Sequence, residues 1–570
     1  MKIAFNKFLA FFILIFILTL FLRLYSLTTI PKGFHQDEAA NTYVGRFTIL
    51  NHVDPYGNPF PLFYFNKLGD YPPVIPMYVS AIGTFFFGPT IFGARIAVAL
   101  LSTLTIIPIY LISSWIFKKR KIALFTIFLF AICPWDIVFA RSGTEGTVAM
   151  FSYMYGLMCL IYAFKNNNIK SLISAGILLL LTYFIYPAFR IIVPLTFLAT
   201  PILFLPKIIS FQKIKQLFTQ KYFLIFIILT LLSLTLTFFI ANTDWGKGRF
   251  NQTSIFNSTN SLEYTQFIND GNNITIERIF HNKVEFYTRE FIKQYFSYFN
   301  PNFLFTQGGL PQWFSIPNTG LFYISYALLI IPMLLTLFSK TLDTPINKRL
   351  LFFLFIILLT IPIPAALTSD NVPQTHRTLL MSVIFLYIFS YGYYLLDRPK
   401  KIFTIIKSIL LFLIFIEFLF FIHNYFQHEN SWTAINRRDG NVEAVSYINQ
   451  NRTKYNNVYV FAGNWFPAYY LYFTNNFDKK LVGQIGINFH LDHLDNVKFN
   501  EADCPPQNAL DAILNEGTKY PSLNNLIVMR SACSIVQADK QFNSSYKQIK
   551  TIETINNLEV FFIYTNSTTK

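Results

Sequence analysis

The chain has 570 residues, of which 53% are hydrophobic, 18% aromatic and only 13% charged, and 66 of them are phenylalanine. A water-soluble protein of this length cannot bury so many large apolar side chains, so the composition excludes that class and indicates a polytopic membrane protein. The formal net charge of +17 does not indicate a nucleic-acid partner, because the basic residues are concentrated in alternate connections between apolar segments.

About eleven apolar segments are long enough to cross a bilayer as helices. The first follows Lys2 and Lys7 and has no small-residue cleavage site after it, so we expect a retained membrane helix rather than a signal peptide. The predicted spans are residues 8–28, 92–117, 122–140, 147–164, 171–187, 188–206, 222–241, 320–339, 350–367, 378–396 and 402–422.

The distribution of lysine and arginine predicts the orientation of these spans. The basic connections are Lys118–Lys121, Lys165 with Lys170, Lys207–Lys221, Lys340–Arg349 and Arg398–Lys401. By the positive-inside rule they lie in the cytoplasm together with the amino terminus. Counting residues 74–88 as a full span would reverse this pattern, so we expect a short helix there, within a first outer loop of residues 28–91. A long outer loop is predicted at 242–319.

The tail of the chain has a different character, with less apolar sequence and more asparagine and charge. Short strand-like runs at Val458–Ala462, Asn525–Met529 and Leu558–Tyr564 lie among helical patterns, which is typical of an α/β domain. We therefore expect a membrane domain at 1–425 and an extracytoplasmic α/β domain at 426–570. Cys504 and Cys533 both lie in this tail, and a disulfide between them is compatible with export.

The adjacent acids Asp37 and Glu38 stand just beyond the first span. An unpaired charge beside a low-dielectric surface is costly, so the pair is a candidate site, although a solvated loop start or a helix cap would also explain it. Further polar residues are predicted on the same outer face, namely Asp70, Arg141, Glu145, Tyr183, Tyr186, Arg190, His376 and Arg377.

The order of these motifs resembles the membrane-embedded lipid-linked glycosyltransferases of the GT-C class, specifically the clan of protein O-mannosyltransferases and aminoarabinose transferases. The matching pieces are Asp37-Glu38, Gly69–Pro73, Gly93–Arg95, Arg141 with Glu145, Tyr183–Arg190 and His376-Arg377. The resemblance covers the membrane part of the chain and not its tail. It implies a GT-C fold in the cell membrane. It also implies transfer of a sugar from a polyprenyl-phosphate donor to a protein, lipid or glycan acceptor on the outer face of that membrane.

The resemblance also implies roles for individual residues. Asp37 would be the general base of an inverting displacement, and Glu38 would orient Asp37 or a neighbouring loop. Arg141, Arg190 and Arg377 would bind the leaving phosphate, because the planar fork of arginine makes two parallel bonds to phosphate oxygens. An arginine at the end of a span also reaches lipid headgroups without any further role. Glu145 would either pair with Arg141 or act as a second active-site acid.

A divalent metal is a weaker implication of the resemblance. In the aminoarabinose transferases an acid just before a proline helps to hold a metal, but here Tyr71 separates Asp70 from Pro72. His35 and His376 are possible nitrogen ligands without a dense histidine or cysteine cluster. The O-mannosyltransferases work without a metal, so this question stays open. Tyr183 and Tyr186 would contact the donor or belong to an interfacial aromatic belt.

Two other classes of function remain as alternatives. A transporter or flippase would place charged residues in mid-span and break helices in paired halves. A non-catalytic scaffold would use the exported domain for binding and would give no reason for Asp37, Arg141 and Arg377 to lie at one face.

Overall fold

A computed structural model describes residues 2–65, 71–203, 221–257, 274–337, 346–520, 522–531, 533, 536 and 539–566. Its contacts divide the chain into two compact units. The first comprises Met1–Tyr25, Gly69–Pro73 and Val98–Tyr425, and the second comprises Ser26–Leu68, Val74–Ala97 and Phe426–Lys570. Most of the first outer loop thus belongs to the same unit as the tail. The division into separately folding domains at residue 425 stays a prediction.

Apolar helices dominate the described chain as far as Thr433. Six helices of the described chain are long and apolar enough to cross a membrane: Lys7–Leu24, Ile91–Phe117, Glu145–Asn166, Lys221–Asn242, Lys348–Ala366 and Lys401–Thr433. A seventh candidate is the pair Arg120–Ala131 and Pro134–Ala140, which is bent by 55°. Pro134 accounts for the break, because proline lacks the amide hydrogen that would continue the preceding helix.

Shorter apolar helices complete the pattern at Ile75–Phe87, Ile169–Phe184, Phe189–Leu203, Ile324–Leu335 and Leu380–Leu395. Each of the eleven predicted spans therefore coincides with an apolar helix or a bent pair, and residues 75–87 form the short extra helix that we expected. These helices confirm a polytopic α-helical membrane protein. The number of helices that cross the bilayer, and the sides on which the termini lie, stay predictions.

Amphipathic and short helices occupy the connections. In the long loop before the eighth predicted span they are Asp244–Thr253, Ile274–Phe280 and Lys283–Ser297. The last of these begins at Lys283 and is capped by Asn282, whose side chain accepts the amide hydrogens of Val284 and Glu285.

The second unit contains a six-stranded sheet. Its strands are β1 (Asn457–Phe461), β2 (His493–Leu494), β3 (Val497–Asn500), β4 (Asn525–Arg530), β5 (Lys547–Glu553) and β6 (Glu559–Thr565), in the order β2-β3-β1-β4-β6-β5. β1 runs parallel to both of its neighbours, β3 and β4, while the other pairings are antiparallel. This sheet confirms the predicted α/β character of the tail.

Helices cover both faces of the sheet. One face packs against Gln36–Asn51, Asn441–Asn451 and Phe466–Phe473, and the other packs against Gln507–Lys519 and Lys540–Ser545. Because β4 is covered on both faces, its run Leu-Ile-Val-Met is continuously apolar instead of alternating. The helix that begins at Gln36 comes from the first outer loop, so the Asp37-Glu38 pair is positioned by a core that it shares with the tail.

Candidate functional site

The acid pair lies in the first turn of the helix Gln36–Asn51. His35 precedes the helix, and its ring nitrogen Nδ1 accepts the amide hydrogen of Asp37 at 3.3 Å. The carboxylate of Glu38 accepts the amide hydrogen of His35 in return, at 3.0 Å. This reciprocal arrangement is a capping box, in which histidine takes the place of the usual serine or threonine. The helix start is therefore fixed by its own side chains.

Glu38 is buried and forms an ion pair with Arg95. Two guanidinium nitrogens of Arg95 meet the two carboxylate oxygens, with distances of 2.8 and 3.0 Å. The other bonds of Arg95 go to the carbonyl oxygens of Leu27, Pro31 and Gly33. The pair therefore joins the helix start to the loop that precedes it, which is a structural arrangement for Glu38.

Asp37 is far more accessible, since its side chain is 63% exposed. Its carboxylate lies 3.4 Å from Nδ1 of His35. Burial lowers the pKa of His35, although the nearby charges of Asp37 and Glu38 oppose this effect. At neutral pH the His35 ring is consequently uncharged and the Asp37 carboxylate has no cationic partner in it. An exposed carboxylate held on a rigid helix end is suited to accepting a proton.

Arg141 is fully buried in the first unit. It donates hydrogen bonds to the carbonyl oxygens of Leu22 at 2.9 Å and Tyr25 at 2.7 Å, and its guanidinium lies over the ring of Tyr425. These carbonyls lie at the end of the first helix, where backbone acceptors lack intrahelical partners. The observed contacts hold a helix end, and a phosphate-binding role for Arg141 stays a prediction.

The structure brings Glu145, Tyr186 and His376 together. The nitrogen Nε2 of His376 lies 3.6 Å from the Glu145 carboxylate and accepts the amide hydrogen of Gly146 at 2.9 Å. The ring of Tyr186 packs against His376 with centroids 4.8 Å apart. A side chain at Gly146 would approach His376 to 2.6 Å, so this close contact requires glycine. Three residues predicted from distant parts of the chain thus form one polar cluster.

Tyr183 and Arg190 form a second cluster in the first unit. The hydroxyl of Tyr183 donates to the carbonyl of Ser233 at 3.0 Å, and Nε of Arg190 donates to the carbonyl of Tyr183 at 3.3 Å. The guanidinium of Arg190 lies 4.9 Å from the ring centre of Trp245. These contacts connect the fifth, sixth and seventh predicted spans, and a donor-contacting role for either residue stays a prediction.

Arg377 is paired with an acid close to it in sequence. One of its terminal nitrogens lies 2.8 and 2.9 Å from the two carboxylate oxygens of Asp370, and the other is bonded to Thr368. The Arg377 side chain is mostly buried, whereas that of Asp370 is 41% exposed. An anion that reached Arg377 would therefore compete with Asp370 for the same nitrogen.

The structure describes two of the three candidate metal ligands, His35 and His376. Asp70 lies outside the described residues, and in the described part of the chain no three histidine, cysteine or acidic residues are grouped as a metal site. His35 and His376 belong to different units.

The sequence analysis did not predict two buried ion pairs, Arg95 with Glu38 and Arg23 with Asp136. Arg95 was noted only as part of a motif, yet it organises the loop before Asp37. Arg23 and Asp136 form a fully buried pair in the first unit, and Ser102 donates to the same Asp136 oxygen at 2.8 Å. A lone arginine near the end of a span, followed more than a hundred residues later by an acid in another span, is a signal that could have suggested this pair.

Comparison with known proteins identifies the fold. No family model matches the chain, and no curated protein matches it in sequence. Among solved structures, it is similar to ArnT from Cupriavidus metallidurans bound to undecaprenyl phosphate, with 12% identity and a TM-score of 0.55 over 98% of both chains. The apo state of ArnT is similar with 10% identity and a TM-score of 0.51, over 99% of this chain and 98% of that one.

An oligosaccharyltransferase from Archaeoglobus fulgidus is more distant, with 13% identity and a TM-score of 0.42 over 98% of this chain and 74% of that chain. The two ArnT structures match almost the whole length, including the tail that the sequence alone could not assign. The protein therefore has the GT-C glycosyltransferase fold.

Proposed function

We propose that the protein is an integral-membrane glycosyltransferase. It transfers a sugar from a polyprenyl-phosphate donor to an acceptor on the outer face of the cell membrane, with inversion at the anomeric carbon. The observation that carries this proposal is the contrast between two adjacent acids, because Asp37 is exposed and Glu38 is bound in two places by Arg95.

In the proposed reaction Asp37 is the general base. An acceptor hydroxyl or amine attacks the anomeric carbon and loses its proton to Asp37, while the bond from that carbon to the phosphate oxygen breaks and polyprenyl phosphate leaves. One displacement inverts the configuration. A retaining route would need a second free carboxylate about 5 Å from the first. Glu38 does not meet this need while it is bound to Arg95.

The donor class is supported by location and by the fold. Nucleotide sugars are made in the cytosol, so a transferase that acts outside needs a lipid-linked sugar. One solved protein with this fold was crystallised with undecaprenyl phosphate. We propose Arg377 as the first ligand of the departing phosphate, since arginine binds phosphate at two points. Arg141, Arg190, Glu145, Tyr183, Tyr186 and His376 are the remaining candidates for contact with the donor.

The proposal includes an orientation, in which the amino terminus is cytoplasmic and the tail is extracytoplasmic. Residues 37, 38 and 95 belong to one unit, so the proposed base and its support would be retained in any arrangement of the two units.

Incubation with a panel of radiolabelled polyprenyl-phosphate sugars tests the function. The purified protein in lipid nanodiscs is expected to release polyprenyl phosphate from at least one donor when a crude outer-envelope acceptor fraction is present. Asp37→Asn serves as the matched inactive control. A transporter would move the labelled lipid between leaflets of proteoliposomes without breaking the sugar–phosphate bond. Intact donor across the whole panel, with a folded protein, would overturn the proposal.

A further inference from the structure

A small cavity lies in the second unit at the carboxyl ends of β3, β1 and β4. It encloses about 200 Å³. The chain leaves β1 to form β3 on one side and later returns to form β4 on the other. In sheets with parallel strands, ligands bind where neighbouring strands lead away in opposite directions, outside the carboxyl ends. The position of the cavity is therefore that of a ligand site.

The charged groups around the cavity balance one another. Its walls include the basic residues Arg438 and Arg530 and the acidic residues Glu501 and Asp503. Burial, followed by repulsion from Arg438, lowers the pKa of Arg530 to about 10, so Arg530 remains charged at neutral pH. With two positive and two negative groups, the cavity does not select an anion by net charge. Instead it presents hydrogen-bond donors and acceptors side by side, as a ligand with several hydroxyl groups requires.

One lining residue, Asn464, has a side-chain acceptor that is left without a donor among the described residues. The side-chain oxygen Oδ1 of Asn464 is buried and has no hydrogen-bond partner among the described residues. A buried polar atom without a partner is costly unless a ligand or water supplies one. Next to it, Gly463 has a φ of +80°, and a side chain there would come within 3.1 Å of the Asp503 carboxylate. A side chain at residue 463 would therefore crowd the carboxylate of Asp503, which lines the cavity.

Aromatic side chains complete the wall. Trp465 and Tyr469 line the cavity together with Phe466. Binding pockets typically combine such apolar surfaces with a few well-placed polar groups. A ligand that presents both an apolar ring face and hydroxyl groups would use all these features, and a single sugar ring has both.

The cavity wall is bonded to the turn that carries the proposed base. Arg438 donates to the side-chain oxygen of Gln36 at 3.3 Å, and the hydroxyl of Tyr469 donates to the carbonyl of Phe34 at 2.6 Å. Gln36 immediately precedes Asp37. The charges of Asp37 and Arg438 both act on the Tyr469 hydroxyl. A ligand in the cavity would therefore lie beside the first turn of this helix.

We propose that this cavity binds a sugar ring of the acceptor, so that the acceptor is a glycan or a glycosylated molecule. This inference rests on the proposed function in one respect: only a glycosyltransferase would use the bound sugar as part of its acceptor. Sugar binding itself can be measured without a donor and without turnover.

The test is saturation-transfer difference NMR on the full-length protein in lipid nanodiscs, free of sugar-headed detergents. The probes are methyl glycosides of mannose, glucose, galactose and N-acetylglucosamine, each at millimolar concentration. Asn464→Ala and Arg438→Gln are compared with Lys454→Gln, which removes a charge from an exposed site of the same unit outside the cavity lining. Thermal unfolding of each variant verifies that it is folded.

At least one glycoside is expected to give a signal with the parent protein. Its dissociation constant is expected to rise roughly tenfold in Asn464→Ala, the effect of one buried hydrogen bond, and to stay unchanged in Lys454→Gln. No signal from any probe would overturn the inference, and so would equal signals from the parent and folded Asn464→Ala. Binding of inorganic phosphate that is lost in Arg438→Gln, without sugar binding, would identify an anion site and overturn it as well. If the protein binds a sugar but transfers none from any donor, the cavity is a sugar site and the proposed glycosyltransferase function is wrong.

Discussion

The guanidinium of Arg95 meets the carboxylate of Glu38 through two hydrogen bonds of 2.8 and 3.0 Å, in a position where neither side chain is appreciably exposed. The same arginine holds three backbone carbonyls of the loop from Leu27 to Gly33. A membrane-proximal loop is thereby fixed to the helix that presents Asp37. Of the two adjacent acids, Glu38 is buried in an ion pair, whereas the side chain of Asp37 is 63% exposed.

Substitution of Glu38 should therefore lower the stability of the folded protein more than it affects the catalytic step. Glu38→Ala leaves the Arg95 charge buried without its partner, a change that costs about 3–5 kcal/mol. Thermal unfolding of Glu38→Ala, Arg95→Met and the double variant would measure the coupling between the two residues. We expect the double variant to be clearly more stable than the sum of the single changes predicts. Additive losses would show that the pair contributes little to the fold.

Asp37→Asn should have the opposite effect, lowering turnover and leaving stability nearly unchanged. It keeps the shape of the side chain and removes its ability to accept a proton, so turnover is expected to fall by about 10²–10⁴ while the melting temperature changes little. Asp511→Asn, an exposed acid on another helix of the same unit, is the matched control and should remain active. Near-normal transfer by folded Asp37→Asn would remove Asp37 from the mechanism.

The capping histidine should make stability depend on pH. Burial holds the pKa of His35 below its usual value of 6.5, against the attraction of Asp37 and Glu38 and with the repulsion of Arg437 and Arg438. As pH falls through 6.5, the unfolded chain binds a proton at this histidine before the folded chain does. Stability from His35 is thus fully present above pH 6.5 and is lost as the pH falls toward the folded pKa.

The measurement for His35 is the melting temperature at pH 7.5 and pH 5.5. His35→Asn keeps a side-chain acceptor at the helix cap and removes the titrating group. The parent protein is expected to lose more stability over this interval than the variant. Equal losses in the two proteins would mean that other groups cause the whole dependence.

Arg377 and Asp370 can be separated by paired substitutions. If Arg377 binds the donor phosphate, Arg377→Ala should impair turnover more than Arg377→Lys, since lysine keeps the charge but loses the two-point contact. Asp370→Asn removes the competing carboxylate and should leave the affinity for the donor equal or higher. The KM for the donor and the melting temperature are the readouts. If Arg377→Ala and Asp370→Asn cause the same loss of stability with normal donor binding, the pair only anchors its loop.

The disulfide between Cys504 and Cys533 should stabilise the tail. Cys504 follows β3 and Cys533 follows β4, and because both strands run parallel to β1 their carboxyl ends lie at one edge of the sheet. Closing a loop with a sequence separation of 29 is worth about 3–4 kcal/mol on the chain-entropy estimate. Mass spectrometry without reduction should recover one linked peptide pair, and the double serine variant should unfold at a lower temperature. Recovery of both thiols in alkylated form from unreduced protein would contradict the bridge.

Much of the membrane part was predictable from the sequence because the bilayer imposes a local rule. Every backbone amide in lipid needs an internal partner, so a sufficiently long apolar run must be helical, whatever packs beside it. The short helix at 75–87 and the strands near residues 458, 526 and 560 were recognisable for similar local reasons. The capping box at His35 was less visible, since histidine is an unusual residue in that motif.

The setting of the proposed site depended on contacts between residues far apart in sequence. Tyr43 stacks on Phe477 with ring centres 5.1 Å apart, and Tyr469 bonds to the backbone of Phe34. Such contacts join the first outer loop to the tail across about four hundred residues, and no local pattern encodes them.

Composition and hydropathy by themselves determined that this is a helical membrane protein with an α/β tail, and the order of the motifs pointed to Asp37 and Glu38. Only the tertiary structure decided how the two acids differ. Glu38 is buried against the guanidinium of Arg95, whereas Asp37 is accessible, and burial and nearby charge are what set the properties of a carboxylate. That difference depends on where Arg95 lies in space, 57 positions along the chain from Glu38.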